Sequence, residues 1–533
     1  MSKVIDFKNL TLDPSLKITE GTRIIGIDLG TIYSCVGILR NNQVFIIPDN
    51  ADGKTIIPSI VCYKDDQFLI GASAKYNMTQ CYKTTMFESK RLLGFKYIHK
   101  KVQNDIKNWP NKIIEDPITK KPQYVIEVNK KEEKYFPEDV SSMILKYIKK
   151  FAEVYEGEKE IKYAVITVPV HFNNLQRKAT IEAAEKAGLN VVKIINEPTA
   201  AAIAYIQQIG INVIEKKVFI FDIGGGTFDI SFLQIKNKEY SVLSSCGESH
   251  IGGEDFNSRL QDYVIKEIKK NPDFKSINFE DKTNDANLYA LRKLREAVEQ
   301  VKIELSRLEK TSFFIDALYN GKNFEMMITR QKYEELCKDL WEQCFKKVDE
   351  AIKLAKLKRE DIDQIILVGG SIRTPKIQEM IKKHFKGKVP LQNINVEEVV
   401  AYGATLSAYV DVYINDITSK DIGIEISGGK MATIIPRGTV LPVINKTLTF
   451  LKEFKLGGKN PKTQTIKVYE GNNEIASENT YLGKFDISVN QVDKDETIII
   501  SMNIDHNSIL NIQRKGSGKN EEFAIKLNLN QNE

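Results

Sequence analysis

The stretch Val218-Phe219-Ile220-Phe221-Asp222-Ile223-Gly224-Gly225-Gly226-Thr227-Phe228-Asp229-Ile230-Ser231 constrains this chain more than any other. An apolar, β-branched and aromatic run leads in, three glycines interrupt it, and an alternating run leads out. That pattern predicts a β-hairpin with a glycine turn. Without Cβ atoms, consecutive backbone N–H groups of Gly224, Gly225 and Gly226 can converge on one anion, a nest suited to phosphate. Asp222 and Asp229 flank the turn, where carboxylates can hold Mg²⁺ through its water shell. Taken alone, the triplet is equally compatible with an ordinary glycine-rich turn.

A second copy of the design removes much of that ambiguity. Ile25-Gly26-Ile27-Asp28-Leu29-Gly30-Thr31-Ile32-Tyr33-Ser34-Cys35-Val36 is again a strand, an aspartate, a glycine, a hydroxyl and a strand. Asp28 answers Asp222, and Gly30 answers Gly224. Two such hairpins predict a duplicated α/β lobe closing on one nucleotide from both sides. A third glycine segment, Gly369-Gly370-Ser371, follows the strand Ile365-Ile366-Leu367-Val368 and can lie flat against a base and ribose.

Between the hairpins, residues 136–155 read as an amphipathic helix opened by Pro137 and acids. Residues 175–187 read as a helix stopped by Gly188, and 291–308 carries Leu291, Leu294, Val298, Val301 and Leu305 near a helical period. After Asp416 helical periodicity disappears. Short alternating runs such as Thr465-Ile466-Lys467-Val468-Tyr469, separated by Gly428-Gly429, Gly457-Gly458 and Asn472-Asn473, predict an antiparallel β-sandwich.

Lys+Arg 77 against Asp+Glu 71 leaves a net charge of +6 that is scattered, which argues against nucleic acid as a partner. No apolar run approaches the roughly 20 residues needed to cross a bilayer, so no membrane role is expected. Six cysteines without a Cys-x-x-Cys pair suggest reduced thiols and no zinc site. Residues 1–22 contain no apolar signal core, and a cytoplasmic protein is expected.

Ile-Asp-Leu-Gly-Thr, Phe-Asp-Ile-Gly-Gly-Gly-Thr-Phe-Asp and Leu367-Val368-Gly369-Gly370-Ser371-Ile372-Arg373-Thr374-Pro375 resemble the two phosphate motifs and the adenosine motif of the heat shock protein 70 family, the DnaK-like chaperones. The resemblance runs from about Arg23 almost to the C-terminus. It implies an actin-like (ribonuclease H-like) two-lobed ATPase domain over 23–410, after an N-terminal extension over 1–22. An interdomain linker over 411–416 and a peptide-binding-like β-sandwich over 417–533 would follow. The family's helical lid is expected to be missing.

The resemblance also implies roles. Gly30, Thr31, Ile32, Tyr33, Gly224, Gly225, Gly226 and Thr227 would cradle ATP or ADP, and Glu299, Lys302, Ser306, Gly369, Gly370, Ser371 and Arg373 would face the adenosine. Asp28, Asp222 and Asp229 would hold Mg²⁺ through water, with Lys90, Glu197, Asp222, Thr227 and Asp28 supporting hydrolysis. Pro169 and Arg177 would relay to the linker residues Val412, Tyr413, Ile414 and Asp416. Ile424, Ser427, Phe450 and Gln464 would form the peptide site.

The departures matter as well. Ile32 replaces the usual threonine, which predicts slow hydrolysis. Ile303 stands where many eukaryotic relatives carry arginine, and Asn415 where leucine is usual. Ser427 and Gln464 replace apolar residues, predicting weak binding of apolar peptides. The implied function is an ATP-dependent chaperone with unfolded or nascent polypeptide, a J-domain co-chaperone and a nucleotide exchange factor as partners. Two alternatives remain: a lidless regulatory relative acting with a J-domain protein at ribosomes, and a sugar kinase or actin-like filament protein, which leaves the β-rich tail unexplained.

Overall fold

The computed structural model describes residues 21–209, 215–236, 239–391, 395–409, 413–450, 463–488, 498–516 and 519–521. Two sheets form its centre, and they share one plan. In the first, Ile24–Asp28, Tyr33–Arg40 and Gln43–Ile46 make an antiparallel meander, and Tyr163–Val168 and Asn190–Asn196 add in parallel beside Ile24–Asp28. In the second, the meander is Glu215–Ile223, Phe228–Lys236 and Glu239–Glu248, and Gln364–Val368 adds in parallel beside its first strand. The strand period of two explains why both faces are apolar. Phe219, Phe221 and Ile223 enter one core, while Val218 and Ile220 enter another.

That second core lies between the two sheets and contains the helices Glu197–Ile209 and Val399–Ser407. They approach unusually closely. A Cβ on Gly403 would stand 1.8 Å from the carbonyl oxygen of Ala200, and one on Gly26 would stand 2.1 Å from the backbone nitrogen of Thr405. Glycine is therefore required at both positions for the helices to seat.

Each lobe carries a peripheral layer. The first has a sheet of Ile60–Lys64, Gln67–Ile70 and Thr85–Phe87, and another of Lys112–Glu115, Pro122–Val128 and Lys131–Tyr135. The second has the hairpin Lys310–Tyr319 and Lys322–Thr329 packed on the helix Asp285–Leu305. This helix starts earlier than its apolar period predicts, because Asn284 Oδ1 accepts from the backbone N–H groups of Ala286 and Asn287. Its stripe Leu291, Leu294, Val298, Val301 and Leu305 is buried. Each such side chain contributes about 1.5–3 kcal/mol.

The C-terminal part is two four-stranded antiparallel sheets. One orders Lys430–Ile435, Ile422–Ile426, Thr463–Glu470 and Thr480–Ser488; the other orders Val443–Phe450, Ile498–Ile504, Leu510–Gly516 and Lys519–Glu521. Ile422, Ile424, Ile466, Val468, Met502 and Ile512 fill the space between them.

Two placements bear on the expected peptide site and linker. Ser427 is an exposed turn residue, because the strand ends at Ile426 and Gly428 and Gly429 take left-handed φ values of 83° and 73°. The segment around Tyr413 is no free connector. Tyr413–Asn415 pairs in parallel with Glu239, Tyr240 and Ser241 and completes the second sheet, and Asn415 Nδ2 donates to Glu239 Oε1 at 2.6 Å. An open sheet edge and an extended polar-apolar run explain the pairing. Val412, and the extension as far as residue 20, lie outside the described residues.

Candidate functional site

The two glycine turns face each other at the base of a cleft of about 970 Å³ between the lobes. Gly30 closes the first turn, since a Cβ there would stand 1.9 Å from the carbonyl oxygen of Tyr33. In the second, Gly224 N–H donates to Thr227 O at 3.0 Å. The turns interlock. A Cβ on Gly225 would lie 2.2 Å from Ile32 Cγ1, and one on Gly226 would lie 2.7 Å from the Thr31 side chain. Behind them, the N-terminus of the helix Gly253–Lys270 is stitched to the second turn by Gly253 N–H to Gly224 O (2.9 Å) and Glu254 N–H to Gly225 O (2.8 Å). Gly253 and Glu254 line the cleft, so the positive end of this helix dipole faces the space where phosphates can sit.

Charged groups converge beside the turns. Lys90 Nζ pairs with Glu197 Oε1 at 2.7 Å, and both side chains are buried. Asp28 Oδ1 accepts from Thr167 Oγ1 at 3.1 Å. Burial raises the Asp28 carboxyl, with Lys90 pulling the other way. Burial likewise pushes Glu197 up to about 7, against Lys90 and with help from Asp28 and Asp229. Asp222 is pushed well above the usual carboxylate range by burial and then by Glu197, Asp229 and Asp28. Asp229 Oδ1 meets His171 Nδ1 at 2.9 Å, and its Oδ2 has no hydrogen-bond partner among the described residues.

Four acids around a single lysine make a site short of positive charge. A hydrated divalent cation fits that deficit. Among the described residues there is no cluster of three or more His, Cys, Asp or Glu side chains that could hold a metal ion.

The opposite end of the cleft is lined by Glu299, Lys302, Ile303, Ser306, Gly369, Gly370, Ser371 and Arg373. Gly369 has φ 85°, and a Cβ on it would stand 2.2 Å from Ile223 O, so this loop lies directly on the glycine hairpin. Ser371 Oγ donates to Gly224 O at 3.2 Å, Lys302 Nζ to Gly253 O at 3.0 Å, and Arg373 pairs with Glu397 at 2.8 Å. Tyr33 OH donates to Glu299 Oε1 at 3.2 Å, and Lys75 Nζ reaches the same oxygen at 3.2 Å. Asp28, Gly30, Thr31, Ile32, Tyr33, Lys90, Glu197, Asp222, Gly224, Gly225 and Thr227 all line this same cleft.

Of the expected interdomain residues, Arg177 and Asp416 are joined through Asn196. Arg177 Nη2 donates to Asn196 Oδ1 at 2.7 Å and Nε to Phe172 O at 3.2 Å, in the loop that follows Pro169. Asn196 Nδ2 in turn donates to Asp416 Oδ2 at 2.7 Å. Asn196 directly precedes Glu197, so a short chain of contacts joins the ion pair in the cleft to the segment leading into the sandwich. The sandwich is seated on the first lobe by Asn174 N–H to Glu470 Oε2 (2.9 Å), Ile194 N–H to Asn507 Oδ1 (2.8 Å) and Lys420 Nζ to His171 O (3.0 Å).

The peptide-site residues are more dispersed. Ile424 is 2% exposed inside the sandwich and would reach a peptide only if the sheets parted. Phe450 and Gln464 fall on strands of different sheets, opposite Ile498 and Ile487.

Sequence reasoning missed His171, Lys75 and Arg91. Arg91 is buried behind the second turn, where it pairs with Asp105 at 2.9 Å and Asp255 at 2.6 Å and donates to Gly226 O at 3.3 Å. Its place next to Lys90 was the available signal; nothing local marks His171.

A two-lobed nucleotide-binding body with mirrored phosphate turns, joined to an antiparallel β-sandwich, is the class these features define. A family model described as Hsp70 protein matches residues 24–533. The heat shock cognate 70 kDa protein 3 of Dictyostelium discoideum is 40% identical over 516 residues, covering 94% of this chain and 80% of that protein. The chain belongs to the Hsp70 family, a family of chaperones with actin-like ATPase lobes and a β-sandwich.

Proposed function

We propose that this chain binds ATP with Mg²⁺ in the cleft, hydrolyses it slowly, and uses the nucleotide state to control how the sandwich holds extended polypeptide. The observation that carries this reading is the buried Lys90–Glu197 pair, 2.7 Å long, set among Asp28, Asp222 and Asp229 at the meeting point of both glycine turns. Phosphoryl transfer needs positioning and charge neutralisation more than covalent chemistry. Mg²⁺, bound through water, would offset phosphate charge. The glycine turns fix the phosphates through backbone donors, Lys90 offsets developing negative charge, and Glu197, clamped by Lys90, orients water at the open side. The contacts from Glu197 through Asn196 to Asp416 support a mechanical link to the sandwich. A J-domain protein and a nucleotide exchange factor are the partners this cycle would need, and the body spans 23–410 with the sandwich after 417.

A second reading is a regulatory relative with little peptide-refolding activity that works with a J-domain protein at ribosomes; it rests on Gln464 standing where the resemblance calls for an apolar residue. ATP turnover measured with and without an extended apolar peptide separates them. Stimulation by peptide supports the chaperone cycle; turnover indifferent to peptide supports the regulatory reading; no turnover at all removes both.

A further inference from the structure

The first lobe contains two cysteines that the nucleotide site does not use. Cys62 is on the strand Ile60–Lys64 and is fully buried; Cys81 is in the turn after the helix Ala72–Asn77 and is partly exposed. The backbone presses that turn onto the strand. Cys62 is in register with Thr85, whose Oγ1 donates to Cys81 O at 2.7 Å. Tyr63 N–H donates to Thr84 O at 3.2 Å, and Thr84 Oγ1 returns a bond to Tyr63 O at 2.7 Å. Cys62 Sγ itself lies 3.9 Å from Ala74 O, in the helix just before that turn, so the strand and the turn bearing the two cysteines are packed together.

The second lobe supplies an unusual neighbour. Arg292, on the helix Asp285–Leu305, is 3% exposed, lies 5.2 Å from the centre of the Phe87 ring, and its Nε has no hydrogen-bond partner among the described residues. Burial, and then Cys81, push the Cys62 thiol up to about 12, with Lys64 and Arg292 pulling only in part the other way, so Cys62 is the slower of the two thiols to react. The segment bearing Cys81 also carries part of the bridge between lobes: Lys75 to Glu299, Thr79 to Glu296 and Lys83 to Asp285, all landing on that same helix.

We propose that Cys62 and Cys81 form a reversible disulfide that fixes the bridging segment and slows nucleotide release; the effect on release, unlike the disulfide itself, rests on the nucleotide reading above. The exposed partner reacts first. The Cys81 thiolate attacks a low-molecular-weight disulfide such as oxidised glutathione, forming a mixed disulfide and expelling one glutathione thiolate. Cys62 then gives up its proton, attacks the Cys81 sulfur and expels the second glutathione. Two protein thiols are oxidised and one glutathione disulfide is reduced to two thiols.

The test incubates the full chain with oxidised glutathione and maps peptides by mass. A 62–81 cross-link that dithiothreitol reverses is expected, and it is expected to vanish in Cys81→Ser, a partly exposed position that tolerates the change. Glutathione retained on Cys81 without a cross-link overturns the disulfide. Release of a fluorescent ADP analogue is then followed: at least a threefold slowing on oxidation, absent in Cys81→Ser, is expected. A cross-link with unchanged release overturns the proposed effect on the lobes, while failure of the reduced chain to bind the analogue counts against the nucleotide reading and leaves the mass result standing.

Discussion

Ile32 shows how one side chain shapes the phosphate site. It lies against Gly225, where a Cβ would be 2.2 Å from Ile32 Cγ1, so the two turns touch through its β-branch. Threonine keeps the branch, fits the same space and adds a hydroxyl donor facing the cleft. Ile32→Thr is therefore expected to raise steady-state ATP turnover several-fold with little change in nucleotide affinity; a fall would show that the apolar contact is what orders the turn. Lys90 makes the complementary case. Lys90→Ala removes the only cation in contact with Glu197 among the described residues and leaves that carboxylate buried without it. Loss of one preorganised charge of this kind lowers turnover by about 10²–10³. Binding of a fluorescent nucleotide is expected to persist, because the glycine turns hold phosphate through their backbone. Turnover within a few-fold of the parent would remove Lys90 from the hydrolytic set. Lys90 was picked out only through the family resemblance, whereas the turn residues were legible because their motif is local: aspartate, glycine and hydroxyl follow one another along a strand and its turn. His171 was not. Its role depends on Tyr163–Val168 and Phe228–Lys236 lying near each other in different sheets, which no local pattern encodes.

At the scale of elements, strands and helices followed from periodicity, while their contacts did not. The run Val218–Ile223 declared a strand apolar on both faces, yet only the assembled sheets reveal that one face meets the helices Glu197–Ile209 and Val399–Ser407. Gly403 was unremarkable in a sequence of 31 glycines. In the fold it is the point where the two helices touch, and a methyl group would stand 1.8 Å from the Ala200 carbonyl oxygen. A backbone atom cannot give way as a side-chain tip can. Gly403→Ala is expected to force the helices apart and destabilise the first 400 residues or so by about 1–3 kcal/mol. A melting curve with nucleotide absent checks it, and an unchanged midpoint would mean the helices have slack that the contact denies. The strand Tyr413–Asn415 eluded prediction for a related reason: three residues carry too little period, and their pairing is decided by the open edge beside Glu239–Glu248.

At the scale of the molecule, the question is what holds the sandwich against the first lobe. Hydrogen bonds from Asn174, Ile194 and Lys420 do part of this, and Leu175 packs against the sandwich core. Lys193 is the costly participant. It neighbours Ile194, whose N–H is taken by Asn507, and is 6% exposed. Burial pushes its ammonium down to about 8, only partly offset by the charge of Asp416. If the sandwich separated, Lys193 would return to water and to the ordinary lysine range near 10.4. Between those two values the separated form binds more protons than the seated form. By linkage, seating then strengthens as pH rises from about 8 towards 10.4 and is weakest below that window. Donor and acceptor dyes on the lobe and the sandwich are expected to report closer association across this range. Other groups titrate there too, so the decisive sample is Lys193→Met, which keeps the stem and removes the charge. It is expected to seat as firmly at pH 7.5 as the parent does at pH 10, with the pH step flattened. A step that survives intact in Lys193→Met would assign the pH response to another group and leave Lys193 a spectator at the interface.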